Sequence, residues 1–197
     1  LSSLAEFSKQ VGALFIADEI QSGFCRTGKW FASEHHGIEP DLITTAKGIA
    51  GGMPLSAVTG RAEIMDQIHP GGLGGTYTGN PVACAAAIAA VDWMISHDAN
   101  RMANAIEGSL KSALTGLAGK HPEIAEIRGM GAMIAIEFLS VSDRKPMAEQ
   151  VSQIASACHK AGVVVLTSGM HGNVIRFLPP LSIPQDILAR GIAIFAS

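Results

Sequence analysis

The chain has 197 residues, 48% hydrophobic and 16% charged, with a formal net charge of −3 at neutral pH. That apolar content fills one sizeable core or two small ones, and the dispersed basic residues leave no footprint for nucleic acid or an anionic membrane surface. Asp92 interrupts the longest apolar stretch before it reaches the ~18 residues that a spanning helix needs. Cys25, Cys84 and Cys158 are widely spaced without a C-x-x-C pair, the pattern of free thiols in a cytoplasmic protein. The histidines form no ligand pattern, His35 and His36 being adjacent rather than one helical turn apart, so no metal is expected.

Residues 2–10 read as a helix. Residues 13–17 form a continuous apolar run, the mark of a buried parallel strand, and the run ends in Asp18-Glu-Ile-Gln21. In open α/β sheets the carboxyl ends of the strands face the ligand crevice. Asp18 is therefore a candidate for holding a proton on a heteroaromatic nitrogen, with capping of the following turn as the equal alternative. Glu19 points to the opposite face of an extended segment and is not expected to be a second acid. Arg26 reads as bracing a turn.

Residues 41–45 are a second strand, followed by Lys47 and the glycine-rich Gly48-Ile-Ala-Gly-Gly-Met-Pro54. A lysine buried at such a place becomes a nucleophile toward carbonyls, because desolvation frees its amine. The alternative is a strand-end lysine that snorkels to water. Residues 55–59 read as a third strand. Gly71-Gly-Leu-Gly-Gly-Thr-Tyr-Thr-Gly-Asn-Pro81 then opens a helix from Val82 to about His97, with Asn80 as N-cap and Pro81 as N1. Its glycine N–H groups and the hydroxyl of Thr76 or Thr78 suit an anion such as phosphate, although it is neither a Walker A loop nor a GxGxxG that follows a strand.

The pattern changes near residue 95, dividing the chain into parts 1–95 and 96–197. Leu110, Leu114 and Leu117 give residues 100–118 a helical stripe. Residues 124–128 and 132–138 read as an antiparallel pair around Gly129-Met-Gly131. A helix over 146–161 capped by Gly162, strands at 163–166 and 173–177, and a helix from Pro184 complete the chain. Arg176, on the last strand, is equally a structural ion-pair residue or a ligand for a carboxylate.

Taken in order, Ala17-Asp-Glu-Ile-Gln21, Arg26-Thr-Gly28, Pro40-Asp41, Ala46-Lys-Gly48, Gly52-Met-Pro54 and Gly74-Gly-Thr-Tyr-Thr-Gly-Asn-Pro81 resemble the class III aminotransferases, pyridoxal 5'-phosphate (PLP) enzymes of fold type I. The resemblance implies an α/β fold. Residues 1–95 would be part of the PLP-binding large domain, with its mixed, mostly parallel sheet, and residues 96–197 a smaller α+β C-terminal domain. Lys47 matches the lysine that carries the cofactor covalently and shuttles a proton, and Asp18 the aspartate on the pyridinium nitrogen. Gln21 matches the glutamine on the cofactor's phenolic oxygen. Thr76 resembles the threonine that reaches the phosphate across a dimer interface, and Arg176 the arginine that binds the α-carboxylate.

The tail Thr167-Ser-Gly-Met-His-Gly-Asn-Val-Ile-Arg-Phe-Leu-Pro-Pro180 is most similar to the branch acting on 4-aminobutyrate and 5-aminovalerate. The implied reaction moves an amino group from an ω-amino acid, 4-aminobutyrate first, to 2-oxoglutarate in a homodimer or larger oligomer. Acetylornithine or ornithine aminotransferase and a glutamate-1-semialdehyde aminomutase are the alternatives within the family. An incompetent fragment that only associates with other chains is the alternative outside it. Family members are roughly twice this length, and the ring-stacking residue, the second phosphate loop and the ω-carboxylate arginine have no counterpart here. The 197-residue chain alone is therefore expected to be inactive and oligomeric or poorly soluble, with an uncovered apolar edge at residues 13–17.

Overall fold

The computed structural model describes residues 1–197 and divides into two compact units, Leu1–Asn100 and Arg101–Ser197. In the first, helix α1 (Ser2–Gln10) is followed by strand β1 (Ile16–Asp18), β2 (Leu42–Thr45), β3 (Ala57–Gly60), the short α2 (Ala62–Met65) and the long α3 (Pro81–Ser96). β1 runs parallel to β2, with Asp18 opposite Thr44, and β3 runs antiparallel to β2, so the sheet is mixed as expected.

β1 starts later than the apolar run at 13–17 suggests. Ala13 N–H donates to Ser8 O at 2.9 Å, and Phe15 N–H donates to Asp41 Oδ2 at 2.8 Å. The N–H groups of Ala13 and Phe15 thus close α1 and meet a side chain, while Phe15 O accepts from Asp41 N–H at 2.9 Å, and paired strand residues begin at Ile16. Asp41 also takes a hydrogen bond from Arg61 Nη1 at 2.7 Å. The Phe15 N–H and the Arg61 guanidinium together hold its carboxyl below the usual range. Gly60 is required at the end of β3, where a Cβ would run into the Leu42 side chain and Asp41 O.

Helix α3 begins as its sequence dictates. Asn80 Oδ1 accepts from Val82 N at 2.9 Å and from Ala83 N at 3.3 Å, with Pro81 at the first helical position. Its apolar residues lie on every side, the composition of a core helix, yet Val82, Ile88 and Ile95 are exposed. α1 buries no residue at all, and Leu14 and Ile16 at the outer edge of β1 are 53% and 54% exposed. No single helix is long and apolar enough to cross a membrane.

The second unit is built on α4 (Ala99–Ala118), which starts at the end of the first, followed by β4 (Ile124–Met130), β5 (Met133–Phe138), α5 (Ala148–Lys160), β6 (Leu166–Ser168), β7 (Val174–Phe177) and α6 (Gln185–Ala196). Its sheet is antiparallel throughout, in the order β4-β5-β7-β6. The β4–β5 loop is Gly131-Ala132 rather than the whole of 129–131. Gly129 and Met130 stay paired with Ile134 and Met133, and Gly131 alone supplies the turn at φ +56°. The cap of helix α5 falls one residue before the expected position. Ala161 is the cap residue and Gly162, at φ +86°, follows it. Gly162 N–H bonds to His159 O and Val163 N–H to Cys158 O, the double closure of a Schellman motif. That closure explains why residues 163–165 are not a strand: they are returning from the helix, and pairing with β7 starts at Leu166.

Ala103, Ile106, Leu110 and Leu114 of α4 share one buried face with Ile134 and Ile136 of β5, Val151 of α5, Ile175 of β7 and Leu188 of α6. Ile136 is fully buried, so Ile136→Ala is expected to destabilise this unit by about 2–5 kcal/mol through lost burial and the remaining cavity. Urea unfolding should show this as a lowered midpoint; an unchanged midpoint would contradict the packing. Cys25 and Cys158 are buried free thiols, and burial pushes Cys25 up to about 11, with Glu34 and Asp98 adding to it.

Candidate active site

Because β1 and β2 are parallel, their carboxyl ends share one end of the sheet, and the candidate residues Asp18 and Lys47 of the first unit sit there. Asp18 is the last residue of β1. Lys47 opens a single 3-10 turn, Lys47–Ala50, just past β2, and α3 packs on that turn with Gly51 close to Ala90. Lys47 itself has φ +49°, a left-handed conformation that costs a non-glycine residue roughly 1–2 kcal/mol. The surrounding turn enforces it, with Ile49 N–H bonded to Ala46 O at 3.2 Å and Ala50 buried. The lysine side chain is solvent-exposed rather than buried. The desolvation that would sharpen its nucleophilicity is therefore not supplied by the elements around it.

Asp18 caps the turn after β1. Its Oδ1 accepts from Ile20 N–H at 3.1 Å, which caps the turn, and from Thr44 Oγ1 at 3.2 Å. Both bonds fall on the same oxygen, so Oδ2 is left for a ligand. Glu19 faces the other way and is 3% exposed. Its carboxylate accepts from Ala32 N–H at 3.0 Å, Ser33 N–H at 2.8 Å and the Ser22 hydroxyl. Glu19 therefore fastens the loop after β1 to the 3-10 helix Ala32–His36, and it is not a second acid. Gln21 lies half-buried in that loop. Arg26 is half-buried in the same loop, where burial lowers its pKa but leaves a guanidinium charged.

Thr76 lies in a loop whose residues 71–80 are all exposed, Tyr77 at 83% among them. The loop is shaped by its glycines: Thr78 N–H bonds to Gly75 O at 3.0 Å, and a Cβ at Gly75 would press on Thr78 Oγ1 at 2.7 Å.

Arg176 belongs to the second unit. On β7 it pairs in register with Ala135 of β5 and Leu166 of β6, half-buried on the wall of a cavity of about 630 Å³ lined also by Val164, Phe177, Pro179, Ile183 and Arg190. Just before it, Asn173 is 2% exposed and donates Nδ2 to Glu137 Oε1 and Phe138 O, both at 3.1 Å. Arg128 Nη1 meets Glu137 Oε2 at 2.6 Å, and these two partners hold the Glu137 carboxyl below its usual range. This network locks β7 against β5 three residues from Arg176. Thr44 and Asn173 were not singled out from sequence, and Glu19 was read only as not a second acid, since each acts through a partner brought near by folding.

An amine and a carboxylate oxygen left open at one sheet end fit the polar needs of PLP, which presents an aldehyde carbon and a basic ring nitrogen. The sequence model described as Aminotransferase class-III matches residues 1–197. The chain is 48% identical over 196 residues to the 4-aminobutyrate aminotransferase of Mycobacterium leprae, covering 100% of this chain and 44% of that protein. It is 46% identical to the 5-aminovalerate aminotransferase of Pseudomonas aeruginosa, covering 100% of this chain and 46% of that one. Among solved structures, the ornithine aminotransferase of Toxoplasma gondii, with partial occupancy of PLP at its active site, superposes with a TM-score of 0.85 at 33% identity, over 97% of this chain and 44% of that one. The chain thus spans a little under half the length of these relatives.

Proposed function

The chain belongs to the class III aminotransferase family, and from that premise we propose that the whole protein transfers an amino group from an ω-amino acid, 4-aminobutyrate first, to 2-oxoglutarate. The observation that carries the reading is the placement of Lys47 and Asp18 at one end of the adjacent parallel strands β1 and β2. The 4-aminobutyrate and 5-aminovalerate named for the relatives support the choice of donor.

PLP bound there supplies an electron sink, its protonated ring accepting the electron pair left when a substrate C–H proton departs. Lys47 Nζ would anchor the group and, once released from it, hold and move the substrate proton. Asp18 Oδ2 would hold a proton on the ring nitrogen, with Oδ1 tied to Thr44 and Ile20. The Gln21 amide would donate to the phenolic oxygen, and Thr76 of a partner subunit would reach the phosphate, in a cytoplasmic homodimer or larger assembly. Residues 1–95 would be part of the cofactor domain and 96–197 the smaller domain, a boundary five residues before the division of the two compact units at Asn100 and Arg101. Arg176 grips the α-carboxylate of glutamate or 2-oxoglutarate with its planar fork.

The test is to assay the full-length protein with 4-aminobutyrate, 5-aminovalerate and ornithine as donors to 2-oxoglutarate, and then to repeat it with Arg176→Lys. Lysine keeps the charge but loses the paired hydrogen bonds, so the KM for 2-oxoglutarate should rise roughly tenfold or more. The half-reaction with the ω-amino donor should change less. Equal damage to both half-reactions would mark Arg176 as structural, and ornithine as the preferred donor would overturn the substrate choice.

A further inference from the structure

We infer that Thr44 is a positioning residue that sets Asp18 for the cofactor's ring nitrogen, an inference that rests on the reading of Asp18 given above. β1 and β2 are parallel with Asp18 in register with Thr44, so the two side chains project to the same face of the sheet. Thr44 fastens the end of β1 twice. Its carbonyl oxygen accepts Glu19 N–H at 3.0 Å, and its hydroxyl donates to Asp18 Oδ1 at 3.2 Å.

The second Oδ1 donor is Ile20 N–H, from the turn that follows the strand. Donors on one oxygen from two elements restrict rotation of the carboxylate about its χ angles, and they leave Oδ2 as the acceptor for an incoming N–H⁺. Asp18 is exposed at the strand end, where an untethered side chain would sample several rotamers, so the tether has something to restrain. Thr45, the next residue, provides the contrast. Its hydroxyl is turned to Ala57 O of β3 at 3.3 Å and does not reach Asp18. A threonine kept only for strand propensity would not need its hydroxyl on the carboxylate.

The test is PLP binding to the full-length apoprotein, followed by quenching of tryptophan fluorescence, for wild type, Thr44→Val, Thr44→Ser, Asp18→Ala, the Thr44→Val/Asp18→Ala double variant and Thr45→Val as control. Valine keeps the shape and strand propensity of threonine without the donor. Thr44→Val should weaken PLP about three- to tenfold, Thr44→Ser should restore most of the loss, and Thr45→Val should match wild type. In the Asp18→Ala background the valine substitution should have no further effect, the signature of a residue acting through its partner. If Asp18→Ala weakens PLP but Thr44→Val binds as wild type, the inference fails while the Asp18 reading stands. An undiminished Thr44→Val effect without Asp18 overturns it too, as a purely structural role. Wild-type affinity and half-reaction rates in Asp18→Ala would overturn the Asp18 reading itself, and this inference with it.

Discussion

Lys47→Ala in the full-length protein should abolish covalent retention of PLP and cut transamination by roughly 10²- to 10⁴-fold from loss of the positioned proton carrier alone. The fold should be nearly indifferent to the change. The Lys47 side chain is exposed and enters no hydrogen bond or ion pair, and alanine inherits the same left-handed backbone at φ +49°. Stability is therefore expected to stay within about 0.5 kcal/mol of wild type, which separates a chemical defect from a folding one. Borohydride reduction of the wild-type holoprotein followed by peptide mapping should place the pyridoxyl group on Lys47. Lys29 is a poor competitor, because its Nζ is engaged with Glu34 O at 3.2 Å. A pyridoxyl group on Lys29 or Lys9 would sink the assignment.

Asp18→Ala should leave the cofactor able to attach to Lys47 but slow proton abstraction in both half-reactions. A charge-assisted hydrogen bond of ~1.5–3 kcal/mol to the ring nitrogen is lost, corresponding to about 10- to 150-fold in rate. The structural cost is small by comparison. The substitution releases Ile20 N–H and Thr44 Oγ1, and both bonds lie at the exposed end of β1, where water can replace them. Stopped-flow absorbance of each half-reaction measures the effect directly. Unchanged rates would mean that another group holds the ring proton.

The exposed apolar residues of the first unit bear on where these experiments are done. α3 is apolar on every face yet carries Val82, Ile88 and Ile95 at its surface, and α1 packs no side chain into a core. Relatives about twice as long have more chain with which to cover such faces. For that reason the full-length protein is the form in which Lys47, Asp18 and Arg176 are to be tested.

Much of the molecule was legible before folding because the signals are local. Asn80 and Pro81 start a helix through hydrogen bonds spanning two or three residues, and Gly162 ends one through a backbone conformation that glycine adopts freely. The leucine stripe of α4 announces its buried face in the same way. Asp18 and Lys47 were also named as candidates from the order of short motifs. What only the tertiary structure decided involves residues far apart in sequence. The strand at 13–17 moved to Ile16–Asp18 because Asp41 captured Phe15 N–H, and that same alignment of β1 with β2 set Thr44 beside Asp18. Glu19 became a buried clasp because folding delivered the N–H groups of Ala32 and Ser33 to it. The exposure of Lys47 and its left-handed backbone likewise follow from how the turn after β2 meets α3. Caps and periodicities are satisfied within a few residues and can be read along the chain. Register and burial depend on which distant segments pair, and that is settled only when the whole sheet closes on its own hydrogen bonds.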